Sequence, residues 1–260
     1  MILVAGGTGR LGTELIGRLV QRGESVRVLT RDPRRAAHLP PVDVVRGDVR
    51  DRTAVLSAVR DADAVVSAVH GFADWRESPA SVDRDGNHHL IDAAAAAGAK
   101  VVLLSVVGAA PDHPLELFRM KAAAESLLRD AVVPWTIVRA AAFRELYEEL
   151  LRRTAGRSGR PLVFGSGRTP VPFASVSDVA AAVEHALADP GSAGQVVEVV
   201  GETMTFDELA ARMERDLGPG ARRPRHVPRG VLRALACAGG IPPGRQAAAA
   251  LVMDGYRRAR

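Results

Sequence analysis

Cysteine is almost missing from this chain: Cys237 is the single one. No disulfide closes within it, and no cysteine cluster holds a metal. Lysine is nearly as scarce, with only Lys100 and Lys121 among 35 lysine and arginine residues. Tyrosine occurs twice, as Tyr147 and Tyr256. No stretch reaches the roughly 18 uninterrupted apolar residues of a membrane span. The start, Met1-Ile2-Leu3-Val4, lacks a basic segment ahead of its apolar residues, so no signal peptide is read and a cytoplasmic location is expected. No fixed-period repeat is present. The net charge of +5 and a sequence pI near 10.2 invite a nucleic-acid reading. The arginines are spread along the chain, however, apart from Arg222-Arg223-Pro224-Arg225 and Arg257-Arg258-Ala259-Arg260. With the many alanines this is the usage of a GC-rich genome, and neither a nucleic-acid nor a membrane partner is expected.

What is there begins at the first dozen residues. Ile2-Leu3-Val4-Ala5 is an unalternating apolar run that suits a strand buried on both faces, as in a parallel sheet. It leads into Gly6-Gly7-Thr8-Gly9-Arg10-Leu11-Gly12 and an amphipathic segment. Gly6 permits a tight turn, Gly9 lets a backbone approach a pyrophosphate, and Gly12 allows the helix to pack closely. The first amides of that helix then face the phosphates. Val26-Arg27-Val28-Leu29 closes a strand–turn–helix–strand unit of about 30 residues, the context a dinucleotide-binding turn requires.

Apolar runs and helical patterns alternate beyond this unit. Strands are expected at Val42–Val45, Ala64–Ser67, Val101–Leu104 and Thr136–Val138, and helices near 10–22, 52–59, 83–97 and 115–130. The alternation predicts an α/β, Rossmann-type, doubly wound parallel sheet. Gly98 reads as the glycine that ends the third helix. Past residue 140 the pattern loosens: a helix near 142–153, strands at Leu162–Phe164 and Val171–Ala174, a helix at Ser177–Val183, a strand at Val196–Val200, then proline-punctuated helical sequence. The expected organisation is a core over 1–140 and a mixed segment over 141–260, which returns strands to the core and forms a small C-terminal substrate-side lobe. Substrate is expected between the strand ends and that lobe.

The end of the second strand meets the adenosine ribose in this fold. Here it reads Leu29-Thr30-Arg31-Asp32-Pro33-Arg34-Arg35. Arginine grips a 2′-phosphate bidentately, so NADP(H) is the expected cofactor, with Arg31 as main contact and Arg35 as a lesser one. The alternative leaves Arg31 in solvent and gives the ribose to Asp32. Asp48 and Val49 are expected to border the adenine, and Ser67, Ala68 and Val69 to lie along the middle of the cofactor.

Taken together, the glycine run, Leu29-Thr30-Arg31, Gly47-Asp48, Ser105, Lys121-Ala122-Ala123-Ala124-Glu125 and Val176-Ser177-Asp178-Val179-Ala180 resemble the atypical short-chain dehydrogenase/reductase superfamily. Within it the sequence resembles the NmrA-like NAD(P)H-binding proteins, over roughly residues 1–200. The resemblance implies either an NADPH-dependent reductase of quinones, dyes or phenolics, or a redox-sensing regulator without catalysis.

Short-chain dehydrogenases commonly use Tyr-x-x-x-Lys. Lys121 stands in the lysine place, but four residues earlier is Leu117. Lys121 is expected to bond the nicotinamide ribose and to polarise or protonate a substrate, against the alternative of a solvated helix lysine. Ser105 ends a strand near the place of a catalytic serine, although Val106-Val107 compete for that register. His113, just before the lysine helix, is a candidate acid or a capping residue. His70 is a comparable candidate acid. His88 and His89 are adjacent on a helix and point apart, so no metal site is expected. Ser166 and Ser175 lack a nucleophile elbow. The expected activity is hydride transfer from NADPH to a small conjugated or aromatic carbonyl or quinone-type compound, by a monomer or homodimer. The alternative is a non-catalytic NADP(H) sensor.

Overall fold

The computed structural model describes residues 1–72, 76–217, 223–237 and 242–255. Tyr256, Arg222 and the arginines after residue 256 lie outside them. In chain order the elements are β1 (Ile2–Ala5), α1 (Arg10–Gln21), β2 (Val26–Thr30), β3 (Asp43–Arg46), α2 (Arg52–Val59), β4 (Ala64–Ser67), α3 (Asn87–Ala97), β5 (Lys100–Val106), α4 (Glu116–Asp130) and β6 (Trp135–Ala140). Then come β7 (Ala142–Phe143), α5 (Arg144–Ala155), β8 (Leu162–Phe164), β9 (Val171–Ala174), α6 (Val176–Ala188), β10 (Gln195–Val199), β11 (Thr203–Met204), α7 (Phe206–Leu217), β12 (Arg225–Val227), α8 (Arg229–Ala236) and α9 (Pro242–Asp254).

The chain forms two compact units. One comprises Met1–Ala140 with Val176–Val199; the other takes Ala141–Ser175 and the described chain from Val200 onward. The first unit is built on a seven-stranded sheet in the order β10-β6-β5-β4-β1-β2-β3. Every neighbouring pair in it is parallel. This is the doubly wound, Rossmann-type sheet. Val4 of β1 lies beside Val28 of β2 and Val66 of β4, so the strand order reverses at β1 and the carboxyl ends of β1, β2 and β4 share one edge. β1 and β4 are buried throughout, which explains their unalternating apolar sequence. On α1, Leu11, Leu15, Ile16 and Leu19 form the buried stripe. Cutting the fully buried Leu15 back to alanine is expected to cost about 2–5 kcal/mol.

Local signals set the ends of the helices. The Asp51 carboxylate accepts from the Thr53 and Ala54 N–H groups at the start of α2. Gly98, at φ +66, closes α3 in the left-handed region. The helix expected over 83–97 is α-helical only from Asn87, and Ala80–Gly86 winds as a wider π-helical segment. The Asn87 side chain donates to the Asp83 carbonyl at 2.7 Å, the acceptor that the Asn87 backbone would use in an α-helix, and the ladder shifts accordingly.

In the second unit β11, β9 and β7 form one small sheet, and β12 and β8 another. Leu151, Val163, Phe173, Met204, Leu209 and Met213 form its core, with Tyr147 and Phe206 packed against it. The helix expected from 142 starts at Arg144, because Ala142 and Phe143 pair with Phe173 and Ala174. Among the described residues no helix is long and apolar enough to cross a membrane.

Candidate functional site

The glycine turn leaves β1 at the shared carboxyl edge, and its glycines serve different purposes. Gly6 has φ +88, and a Cβ there would lie 2.5 Å from the Ala68 carbonyl oxygen, so the turn and the segment after β4 pack backbone to backbone. A Cβ on Gly12 would lie 2.4 Å from the Gly6 carbonyl oxygen, so α1 packs against the turn itself. On Gly7 it would meet Ile16 and Val28 side chains at 2.9 Å. Gly9 differs: its one neighbour within 4 Å would be the Gly6 carbonyl oxygen, at 3.3 Å. Nothing in the fold demands glycine there, and the open space is the cradle a phosphate needs. Gly9 is the N-cap of α1, without a side-chain cap and without an acidic residue in the first turn. Thr8, the exposed Arg10 and the buried Leu11 complete the turn. The residues fit a dinucleotide's pyrophosphate.

At the ribose edge Thr30 is buried, and its hydroxyl donates to the Asp32 carbonyl. Arg31 is partly exposed and forms an ion pair with the buried carboxylate of Glu77. Arg34 holds both oxygens of Asp32, and this pairing lowers the Asp32 pKa. Asp32 is thereby engaged by its own loop. Arg35 is exposed. Asp48 accepts from Arg50 at 3.0 and 2.6 Å, and the Arg50 hydrogen bond keeps its pKa below the usual carboxylate value, with a further contribution from Arg31. Val49 packs against the core, and its carbonyl accepts from His89 Nδ1 at 2.9 Å. Ser67 is buried, and its hydroxyl donates to Asn87 Oδ1 at 2.5 Å. Of the expected Ser67, Ala68 and Val69 stretch, the Ser67 hydroxyl is therefore spent inside the protein, while Ala68 and Val69 line the turn.

Lys121 is not a solvated helix lysine. It is buried on α4, and its ammonium reaches the Val69 carbonyl at 2.9 Å, the Leu104 carbonyl at 3.0 Å and Asp83 Oδ1 at 3.0 Å. Two hydrogen bonds go to the carbonyls, and the contact with Asp83 Oδ1 is an ion pair without hydrogen-bond geometry. In this structure Lys121 is a strut joining the ends of β4 and β5 to the π-helical segment. Asp83, which motif reading passed over, is fully buried and uses Oδ2 to accept from the Gly71 N–H at 2.8 Å.

Ser105 is also held within the protein. It is buried, and its hydroxyl donates to Glu125 Oε1 at 2.6 Å, in a network where Arg139 and Arg129 also hold Glu125. His113 takes the capping alternative: its Nδ1 accepts from the Leu115 N–H at 3.1 Å at the start of α4, and its ring stacks on Phe118. Loss of solvent lowers its pKa. Tyr147 supplies no acid either, because burial pushes its phenol up to about 12 and the hydroxyl donates to Met253 Sδ. His70 is different: it is an exposed residue that, among the described residues, takes part in no hydrogen bond or ion pair. His88 faces Asp92 while His89 bonds Val49, and the described residues hold no group of three metal-ligating side chains.

The model of the NmrA-like family matches residues 1–251. The chain belongs to this family. A (4-alkanoyl-5-oxo-2,5-dihydrofuran-3-yl)methyl phosphate reductase of Streptomyces griseus is 35% identical over 222 residues, covering 84% of this chain and 74% of that protein. An NAD(P)H azoreductase of Xenophilus azovorans is 29% identical over 225 residues, with the same two shares. Among solved structures, an NADPH-dependent quinone oxidoreductase of Escherichia coli, complexed with NADPH, superposes with a TM-score of 0.78 at 22% identity. That alignment covers 98% of this chain and 89% of the other. In this NmrA-like chain, then, the turn, the ribose edge and the segment after β4 form one continuous edge of the sheet, closed beneath by the Lys121–Asp83 pair.

Proposed function

We propose that this chain is an NADPH-dependent oxidoreductase that reduces a small conjugated or aromatic carbonyl compound or quinone. The observation that carries this reading is the open Gly9 position at the uncapped start of α1, in a family whose named members above are reductases. The turn from Gly6 to Gly12 holds the pyrophosphate, Arg31 the 2′-phosphate, and Ala68 and Val69 border the middle of the cofactor. When bound, the reduced nicotinamide supplies a hydride. The protein's own share is to orient the acceptor and to satisfy the oxygen that gains charge. Reduction of an enone or quinone places few demands on it, since a conjugated carbonyl receives the electron pair. The chain works in the cytoplasm as a monomer or homodimer, without a metal.

The commitment of Lys121 to the fold and Leu117 in the tyrosine place support a second reading, a sensor that binds NADP(H) and reports to a protein partner. The two part in one experiment. NADPH consumption is followed across quinones, enones, aromatic ketones and azo dyes, with NADPH affinity measured alongside. Turnover with at least one class supports the reductase. Tight NADPH binding with no compound reduced gives the result to the sensor.

A further inference from the structure

Leu117 stands four residues before Lys121, where a Tyr-x-x-x-Lys motif would have its tyrosine, and Lys121, Ser105, His113 and Tyr147 each have partners within the protein. One ring at the carboxyl edge of the sheet is uncommitted, and the backbone on each side of it is held. The Val69 carbonyl, before it, accepts from Lys121; the Gly71 N–H, after it, donates to Asp83. A Cβ on Gly71 would lie 2.3 Å from the Ser78 carbonyl oxygen, so the chain is also closely packed there. Two residues earlier, Ala68 packs against Gly6 of the glycine turn. One buried ion pair thus fixes both backbone neighbours of an unbonded imidazole just after β4, at the carboxyl edge of the sheet. Fixed neighbours with an unbonded functional group are the arrangement a reacting side chain needs.

We propose that His70 is the catalytic acid of this protein. The proposal rests on the reductase reading. In the step, the substrate carbon gains a C–H bond by accepting the hydride, and the C=O π pair moves onto oxygen. An N–H bond of the His70 imidazolium breaks, its proton forms the O–H bond, and the ring is left neutral. The substrate is reduced by two electrons, the cofactor is oxidised, and solvent water returns the proton to His70. Two charged groups act on the ring electrostatically, Asp83 from the π-helical segment and Lys121 from α4. Desolvation lowers the His70 pKa, Asp83 raises it and Lys121 lowers it, with a net fall below the ordinary histidine value. The acid form is populated as pH falls through that pKa, so kcat/KM is expected to rise in that direction and level off below it.

The test pairs kinetics with a measurement on the cofactor-free protein. His70 is followed by NMR in protein labelled at histidine, its signal assigned by its loss in His70→Gln. It should titrate below about 6.5 and shift when 1,4-naphthoquinone is added. With NADPH present, the kinetic limb should match the NMR pKa. His70→Gln should lower kcat/KM at acid pH by about 10²-fold or more and flatten the profile, with NADPH affinity changed less than about twofold. Asp83→Asn, where it folds, should lower both the NMR pKa and the kinetic limb together. If the unaltered protein turns over but His70→Gln keeps its rate and its pH limb, or if naphthoquinone leaves the His70 signal in place, the acid is elsewhere and the proposal alone fails. If the unaltered protein reduces nothing, the reductase reading fails and the proposal falls with it.

Discussion

Lys121 and Asp83 face each other at 3.0 Å in the interior of the first unit, both sealed from solvent. Each also fixes backbone, Lys121 through Val69 and Leu104 and Asp83 through Gly71. A buried ion pair adds little net stability over an apolar replacement, but removing one partner strands the other charge. Lys121→Met should therefore cost about 3–5 kcal/mol of unfolding free energy, read in urea melts. The double variant Lys121→Met with Asp83→Asn should recover part of it. A Lys121→Met protein as stable as the unaltered one means the pair does not hold the site together. Any loss of turnover in Lys121 variants has to be read against this structural loss, and that sets them apart from His70→Gln.

The strut role of Lys121 was not legible in the sequence, for a physical reason. Helical spacing places Lys121 on an inward face of α4, but its partners come from the end of β4, from β5 and from a π-helical segment with no sequence signature of its own. The glycine turn was legible because Gly6 and Gly12 answer close backbone contacts while Gly9 leaves room for a ligand, and the parallel, doubly wound class of the sheet followed from the alternation of apolar strands and helices. Ser105 carried the right residue type at the right strand end, yet its hydroxyl is claimed by Glu125, twenty residues on and one element away. The short strands β11 and β12 have too few residues to show a period, and only packing within the second unit creates them.

Glu125 supplies a pH test of the buried network. Burial acts to raise its pKa, but hydrogen bonds from Arg139, Ser105 and Arg129 outweigh it, and the carboxyl is held below its ordinary value. The folded state binds this proton less readily than the unfolded chain, so the network's stabilisation is complete above the unfolded pKa. It is lost as pH falls through the folded one. Glu125→Gln should destabilise strongly at pH 7, and the gap to the unaltered protein should narrow in acid. A gap independent of pH would show that packing, not charge, is what Glu125 contributes.

Two glycines of one turn should behave oppositely. Gly12→Ala places a methyl 2.4 Å from the Gly6 carbonyl oxygen, backbone that cannot give way cheaply, so unfolding free energy should drop. Gly9→Val meets little protein and should keep a native melting curve while losing NADPH binding, because its side chain fills the phosphate cradle. Native NADPH affinity in a folded Gly9→Val protein would take the turn out of the site.

The cofactor preference turns on Arg31. Its guanidinium pairs with Glu77 through Nη1, and the side chain is still partly open to solvent. Charge-assisted hydrogen bonds to a 2′-phosphate contribute on the order of 1.5–3 kcal/mol that a 2′-hydroxyl cannot offer. NADPH should therefore bind at least roughly tenfold more tightly than NADH, and Arg31→Ala should erase most of that difference through NADPH affinity alone. Because Arg31→Ala also removes the cation facing the buried Glu77 carboxylate, some stability should go with it. The double variant with Glu77→Gln separates the two effects. It takes away the buried charge, so melting should recover while the preference for NADPH stays lost. Equal affinities for NADPH and NADH in the unaltered protein would move the 2′-phosphate contact away from Arg31. A recovered preference in the double variant would make Glu77, through its charge, the group that sets discrimination.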